Sequence, residues 1–229
     1  MPETVAHTKR VLLVALGCLA AAGSASAQGM TPEALRAKLS EYRSTHDVAI
    51  VRELSSFLAI PNLASDKTNI RRNAEHLLGM MTSRGIPARL LESPSGAPPA
   101  VYGELRAPGA TRTVVFYAHY DGQPVDTTQW TTPPWQPVLR DKAADAGGQI
   151  IPIPSAAGSI QGEWRMYARS ASDDKSPALA MLVAIDALKA AGVPLSVNLK
   201  FFFEGEEEAG SGHLRELLEK NAELLKADA

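Results

Sequence analysis

The sequence predicts an α/β fold, a mostly parallel mixed sheet flanked by helices, from three observations. Residues 113–118 (TVVFYA) and 198–203 (NLKFFF) are runs of strand formers with little polar alternation, the pattern of strands covered on both faces. Between them lies a stretch rich in Ala, Leu and Met with helical spacing, and a second helical stretch follows the later run. Strand, helix, strand, helix in that order is how a sheet with crossover helices is written.

Each element has its own signal. Leu35, Leu39, Tyr42, Val48, Val51, Leu54 and Leu58 recur at three- and four-residue steps. They predict a helix over 32–60, broken near Thr45-His46-Asp47 and ended by Pro61. A second helix fits 68–84, with Ile70, Ala74, Leu77, Leu78 and Met81 on one face and Gly85 and Pro87 as its stop. Short strands fit 88–91 and 100–106, parted by the turn-rich 93–99. Residues 131–162 are rich in Pro and Gly and lack a period, so no element is assigned there; long loops of this kind are usually functional or mobile. The helix between the two apolar runs spans 178–191, stopped by Gly192 and Pro194. A last helix spans 213–226, with Leu214, Leu217, Leu218, Leu224 and Leu225 as its apolar face.

Composition excludes several classes. With 229 residues, 45% hydrophobic and 21% charged, the chain is neither disordered nor collagen-like and has room for one sizeable core, or at most two small ones. A net charge of -2, with no Lys/Arg cluster beyond isolated pairs, argues against a dedicated nucleic-acid binder. The single cysteine rules out a disulfide framework and a cysteine-ligated zinc site. Residues 1–27 have the three-part layout of a secretory signal: Lys9 and Arg10, an apolar run over 11–22, and Ala25-Ser26-Ala27. That run is shorter than the roughly 20 residues a spanning helix takes. Cleavage is expected after Ala27, leaving 28–229 as a periplasmic or secreted chain with no membrane attachment.

Three segments place acid or imidazole groups just past a strand or at a helix start, where open α/β sheets form their ligand crevices. His119-Tyr120-Asp121 follows the first apolar run: an imidazole there can meet a metal while a carboxylate two residues on fixes its tautomer. Ser172-Asp173-Asp174-Lys175-Ser176-Pro177 opens a helix, and only one of its two aspartates can serve as a cap. Glu204-Gly205-Glu206-Glu207-Glu208 crowds four carboxylates into five residues. A helix N-terminus offsets only about 0.3–1 kcal/mol per charge, whereas a divalent cation relieves that repulsion far better. Each segment also has an ordinary structural reading: a satisfied strand-end histidine, helix capping and a solvated acidic turn.

Together, the three segments resemble the dinuclear zinc exopeptidase family of carnosinases, carboxypeptidase G, aminoacylase and succinyl-diaminopimelate desuccinylase, nearest its dipeptidase branch. The likeness is carried by residues 119–125 (HYDGQPV), 168–175 (ARSASDDK) and 204–211 (EGEEEAGS), with 130–137 (WTTPPWQP) resembling the family's substrate-side linker. It implies that His119, Asp173 and Glu208 are metal ligands for two Zn2+, with Co2+ or Mn2+ as alternatives. Asp173 would bridge the ions, Glu207 would be the general base toward a metal-bridging water, and Asp121 would support His119. It also implies a cis peptide at Asp173–Asp174 and a substrate that is a small peptide or N-acyl amino acid.

Two departures stand out. Ala168, Ser170 and Ser176 occupy positions where the family often has glycine, which predicts a loop less free to take unusual angles. Relatives also continue for about as many residues again, adding a lid domain that often dimerises and a segment supplying further ligands. The expectation is therefore the N-terminal part of a catalytic domain, whose full-length protein could dimerise through the missing lid. The rival is a truncated, non-catalytic chain with weak or no metal binding. A third candidate, a serine hydrolase, fares badly, since no Gly-x-Ser-x-Gly is present. His46 and His76 default to surface or core-edge roles and His213 to helix position and solvent; Trp130, Trp135 and Trp164 are left between substrate mouth and packing, and Lys175 has Asp174 and Glu206 as candidate partners.

Overall fold

The computed structural model describes residues 30–155 and 158–229; the expected leader lies outside them. Helix α1 (Pro32–Leu58) begins where Thr31 Oγ1 accepts the Ala34 N–H at 3.2 Å, with Pro32 at a position needing no donor. It runs unbroken through Thr45-His46-Asp47, contrary to the predicted break. No Gly or Pro interrupts it there, Thr45 Oγ1 donates back to the Glu41 carbonyl at 2.8 Å, and His46 stacks on Tyr42 with centroids 4.0 Å apart. Helix α2 (Lys67–Ser83) is capped by Asp66, which accepts the Asn69 N–H at 3.1 Å. Its predicted face is buried at Ile70, Ala74, Leu77 and Met81, and Gly85 ends it at φ +70°.

Among the described residues seven strands follow: β1 (Ala88–Leu91), β2 (Ala100–Leu105), β3 (Thr113–His119), β4 (Val138–Arg140), β5 (Ile150–Ile151), β6 (Arg165–Tyr167) and β7 (Asn198–Glu204). The main sheet has the order β1-β2-β7-β3. Only β3 and β7 pair in parallel, so the sheet is mixed but not mostly parallel. The short link between β1 and β2 closes only an antiparallel hairpin, whereas β3 and β7 are joined through helix α3 (Lys175–Ala190), the crossover that parallel pairing requires. Nor are both apolar runs covered on both faces. Phe201 and Phe203 of the inner strand β7 are fully buried, but on β3, at the edge among the described residues, Phe116 and Tyr117 are 37% and 45% exposed.

The unassigned stretch 131–162 contributes β4 and β5, which join β6 in a small antiparallel sheet. Strands of two and three residues are too short to show a period. The last predicted helix is two, α4 (Leu214–Lys220) and α5 (Ala222–Leu225). At the break, Asn221 Nδ2 takes the Leu217 carbonyl at 2.8 Å, the side-chain competition that makes Asn a poor helix interior residue. Helices α1, α2 and α3 cover one face of the main sheet around Phe57, Leu77, Met81, Leu182, Phe201 and Phe203. Residues of α4 and α5 pack on the other face, over Tyr102 and Phe202. In register, His119 at the end of β3 lies opposite Glu204 at the end of β7. The turns leaving both strands therefore emerge at one edge, the carboxyl edge where α/β sheets place their chemistry.

Candidate metal centre

His119 is 6% exposed and points its ring into the crevice. Its Nε2 lies 3.0 Å from Asp173 Oδ1 and 3.7 Å from Glu207 Oε2, while Nδ1 faces Asp121 Oδ1 at 3.3 Å. Asp121 is fully buried and serves two groups at once. Besides standing behind the imidazole, Oδ1 accepts the Glu207 N–H at 3.1 Å and Oδ2 the Glu208 N–H at 3.0 Å. Those amides open the short 3-10 turn Glu207–Ala209, whose first donors have no partner within the turn. One carboxylate thus fixes the ring and the two adjacent glutamates together.

The second segment arrives at the start of α3. The Asp173–Asp174 peptide bond is cis. Asp174 occupies the cap position of α3 but makes no cap hydrogen bond; its Oδ2 accepts the His119 backbone N–H at 3.3 Å instead. Both aspartates therefore face His119, and ordinary capping does not describe them. Lys175 pairs with neither Asp174 nor Glu206. It is fully buried and donates to the Phe57 and Ile60 carbonyls at 2.8 and 3.0 Å, pinning the start of α3 to the end of α1, and burial drives its ammonium well below the usual lysine range.

The acidic segment is not a solvated helix start either. Glu204 is buried and accepts the Tyr117 hydroxyl at 2.6 Å; burial pushes its carboxyl up. Glu206 meets the imidazole of His213 at 3.1 Å; that histidine precedes α4 and stays 47% exposed, as expected of a solvent-facing residue. Only Glu207 and Glu208 are left facing the crevice. Donor atoms of His119, Glu207 and Glu208 lie within 4.8 Å of one another, a cluster able to hold one metal ion. Burial pulls the His119 pKa down, but the carboxylates of Asp121, Asp173 and Asp174 outweigh it and hold the imidazole at about 9. A cation in place of that proton satisfies the same carboxylates. The donor set, one imidazole whose far nitrogen faces a buried carboxylate plus several carboxylate oxygens, fits zinc, cobalt or manganese.

Close approach explains the glycines of these turns. A Cβ on Gly122 would stand 2.4 Å from Ser170 Oγ, and one on Gly205 would stand 2.3 Å from the Tyr120 hydroxyl. Ser170, where glycine was expected, adopts φ +60° all the same. Sequence reading missed Asn62, which is fully buried and hydrogen-bonds Tyr120, Ser170 and Trp135; it lies in an irregular connection with no period and no motif. Trp130 lies beneath the Arg169 guanidinium, 5.2 Å from the ring centroid.

Comparison with known proteins agrees with this arrangement. Human Beta-Ala-His dipeptidase is 33% identical over 207 residues, covering 82% of this chain and 36% of that protein. A solved M20 family metallo-carboxypeptidase of Sulfolobus solfataricus is 32% identical with a TM-score of 0.62, over 78% of this chain and 36% of its own. The structure of human carnosine dipeptidase 1 is 26% identical with a TM-score of 0.63, over 82% of this chain and 38% of its own. The chain thus spans somewhat more than a third of the length of these relatives. Residues 115–229, which hold all three acid-bearing segments, match the peptidase family M20/M25/M40. With fold, site and sequence in accord, the chain belongs to the peptidase family M20/M25/M40.

Proposed function

We propose that this chain carries the metal-holding and proton-handling part of an exported dipeptidase, which hydrolyses the amide bond of dipeptides or N-acyl amino acids bearing a free carboxylate. The observation that supports it most is the meeting of His119, Asp173, Glu207 and Glu208 at one sheet edge, with Nε2 of His119 3.0 Å from Asp173. In this reading His119, Asp173 and Glu208 would hold two zinc ions. Bound zinc supplies a Lewis acid that polarises the scissile carbonyl and makes water more acidic. With the ion bound, Asp121, 3.3 Å from Nδ1, would favour the remaining ring proton there and free the Nε2 lone pair for the crevice. Glu207, 44% exposed, takes a proton from the attacking water on its carboxylate and hands it to the leaving amine. Support for the dipeptide class comes from the name of the human relative, Beta-Ala-His dipeptidase.

A second reading, a non-catalytic chain that binds metal weakly or not at all, draws on the donor count. His119 with Asp173, and Asp173 with Glu208, would give each ion two protein ligands, against the three plus an open position typical of catalytic zinc. Glu207→Gln separates the readings when zinc titration and dipeptide hydrolysis are measured together. The proposal expects zinc affinity within about threefold of wild type and turnover down by about 100-fold or more. Equal turnover removes the base role, a collapse in zinc affinity makes Glu207 a ligand, and a wild-type chain that takes up no zinc supports the second reading. Export is checked by finding a chain beginning at Gln28 outside the cytoplasm.

A further inference from the structure

Asn62 stands where four segments meet. It follows α1 in the connection to α2, far in sequence from every acid-bearing segment, and it is fully buried. Its Nδ2 donates at 2.9 Å to the Tyr120 carbonyl, inside the His119–Asp121 turn, and at 2.9 Å to Ser170 Oγ, in the loop leading to Asp173. Its Oδ1 accepts the Trp135 indole N–H at 2.9 Å, and its backbone carbonyl accepts the Gly122 N–H at 2.9 Å. Every hydrogen-bonding group of the side chain is therefore engaged, with both donors and one acceptor used. Ser170 passes the link on: its hydroxyl, having accepted from Asn62, lies 3.3 Å from the Asp121 carbonyl as a donor.

Two features show that this contact sets register and is not incidental packing. The first is closeness. A Cβ on Gly122 would stand 3.0 Å from Asn62 Nδ2 and 2.4 Å from Ser170 Oγ, so the two loops are drawn together as tightly as a bare backbone permits. The second is conformation. Ser170 sits at φ +60°, a region that favours glycine, and its buried hydroxyl is held there by Asn62 on one side and Asp121 on the other. No backbone ladder joins the His119 turn to the 168–174 loop; Asp173 and Asp174 meet His119 on the crevice side, and the side-chain link through Asn62 and Ser170 joins the two loops behind it.

We infer that Asn62 is a positioning residue: acting through Ser170, it fixes the separation of the His119 turn from the Asp173 loop and so presets the crevice for a divalent cation. Neither residue faces the crevice, and both act through the loops that carry His119 and Asp173. Partners of this kind, one step behind the ligands, typically govern metal affinity by about 10–100-fold.

The test uses the full chain with Asn62→Ala, Ser170→Ala and the double variant, and reads two quantities. In metal-free protein, amide hydrogen exchange in 119–122 and 169–174 is expected to accelerate together by about tenfold or more in each variant, with β1 and β2 unchanged. In zinc titration, each single variant is expected to lose about 10–100-fold in affinity, and the double variant no more than the worse single one, because the two residues form one link. A residue that merely packs would lower the melting temperature while leaving zinc affinity and local exchange as in wild type, and that result overturns the inference. Additive losses overturn the route through Ser170. The zinc measurement rests on the metal centre proposed above, whereas the exchange measurement does not. A wild-type chain that binds no zinc defeats that centre and still leaves Asn62 decided by exchange. If Asn62→Ala does not fold, Ser170→Ala, which removes only a hydroxyl, carries both measurements.

Discussion

Replacing Asp121 by Asn tests the link between the imidazole and the two glutamates without adding bulk. The buried carboxylate accepts the Glu207 and Glu208 amides, one on each oxygen, and backs His119 Nδ1. Hydrogen bonds to a charged group contribute about 1.5–3 kcal/mol each, against about 1 for a neutral pair. An asparagine keeps one oxygen, so one bond survives in neutral form and loses about 1 kcal/mol. Its amide nitrogen must then face an N–H, leaving that amide without a partner at about 1–3 kcal/mol. Together these cost about 2–4 kcal/mol, and relief from burying a charge returns part of it, for a net loss of about 1–3 kcal/mol. With a urea slope of about 3 kcal/mol/M for a chain of this size, the unfolding midpoint should fall by about 0.3–1 M. The measurement is urea unfolding followed by circular dichroism in chelator, so that metal plays no part. A midpoint within about 0.2 M of wild type would refute the claim that one carboxylate holds all three groups.

Stability of the metal-free chain should also depend on pH through His119. Its folded pKa of about 9 lies above the ordinary 6.5, so its contribution is fully present below pH 6.5 and is lost as pH rises through 9. Urea midpoints taken between pH 6 and pH 9.5 should fall in wild type, and the fall should be smaller in His119→Gln. Gly205→Ala should destabilise by about 1–3 kcal/mol, because its methyl would enter the space of the fully buried Tyr120 ring and hydroxyl; a melting temperature equal to wild type would contradict the packing described at that turn.

Much of the site was legible because its chemistry is written in short segments. His119 and Glu204 follow apolar strand runs, and Asp173-Asp174 precedes an apolar helix, so placement on a sheet edge followed from strand and helix order alone. The roles within each segment were harder to read. Whether Asp174 caps a helix or accepts the His119 amide depends on where β3 ends relative to α3, a tertiary fact. Lys175 looked like an ion-pair partner because its sequence neighbours are acidic, yet the nearest acceptors in space are carbonyls at the end of α1, 115 and 118 residues away. The mostly parallel sheet was overstated because apolar strand runs look alike whether a strand is inner, as β7 is, or at the edge, as β3 is here. Asn62 left no trace at all, since a buried hub in an irregular connection needs neither periodicity nor a motif.

The central claim is that His119 and the carboxylates of two distant segments gather around one ion-binding crevice. Zinc K-edge X-ray absorption on the zinc-loaded chain tests it most directly. The account predicts an imidazole nitrogen at about 2.0–2.1 Å together with carboxylate oxygens, and loss of the imidazole signal in His119→Gln. A coordination shell of oxygens alone in the wild-type chain, or one unchanged by that substitution, would contradict it.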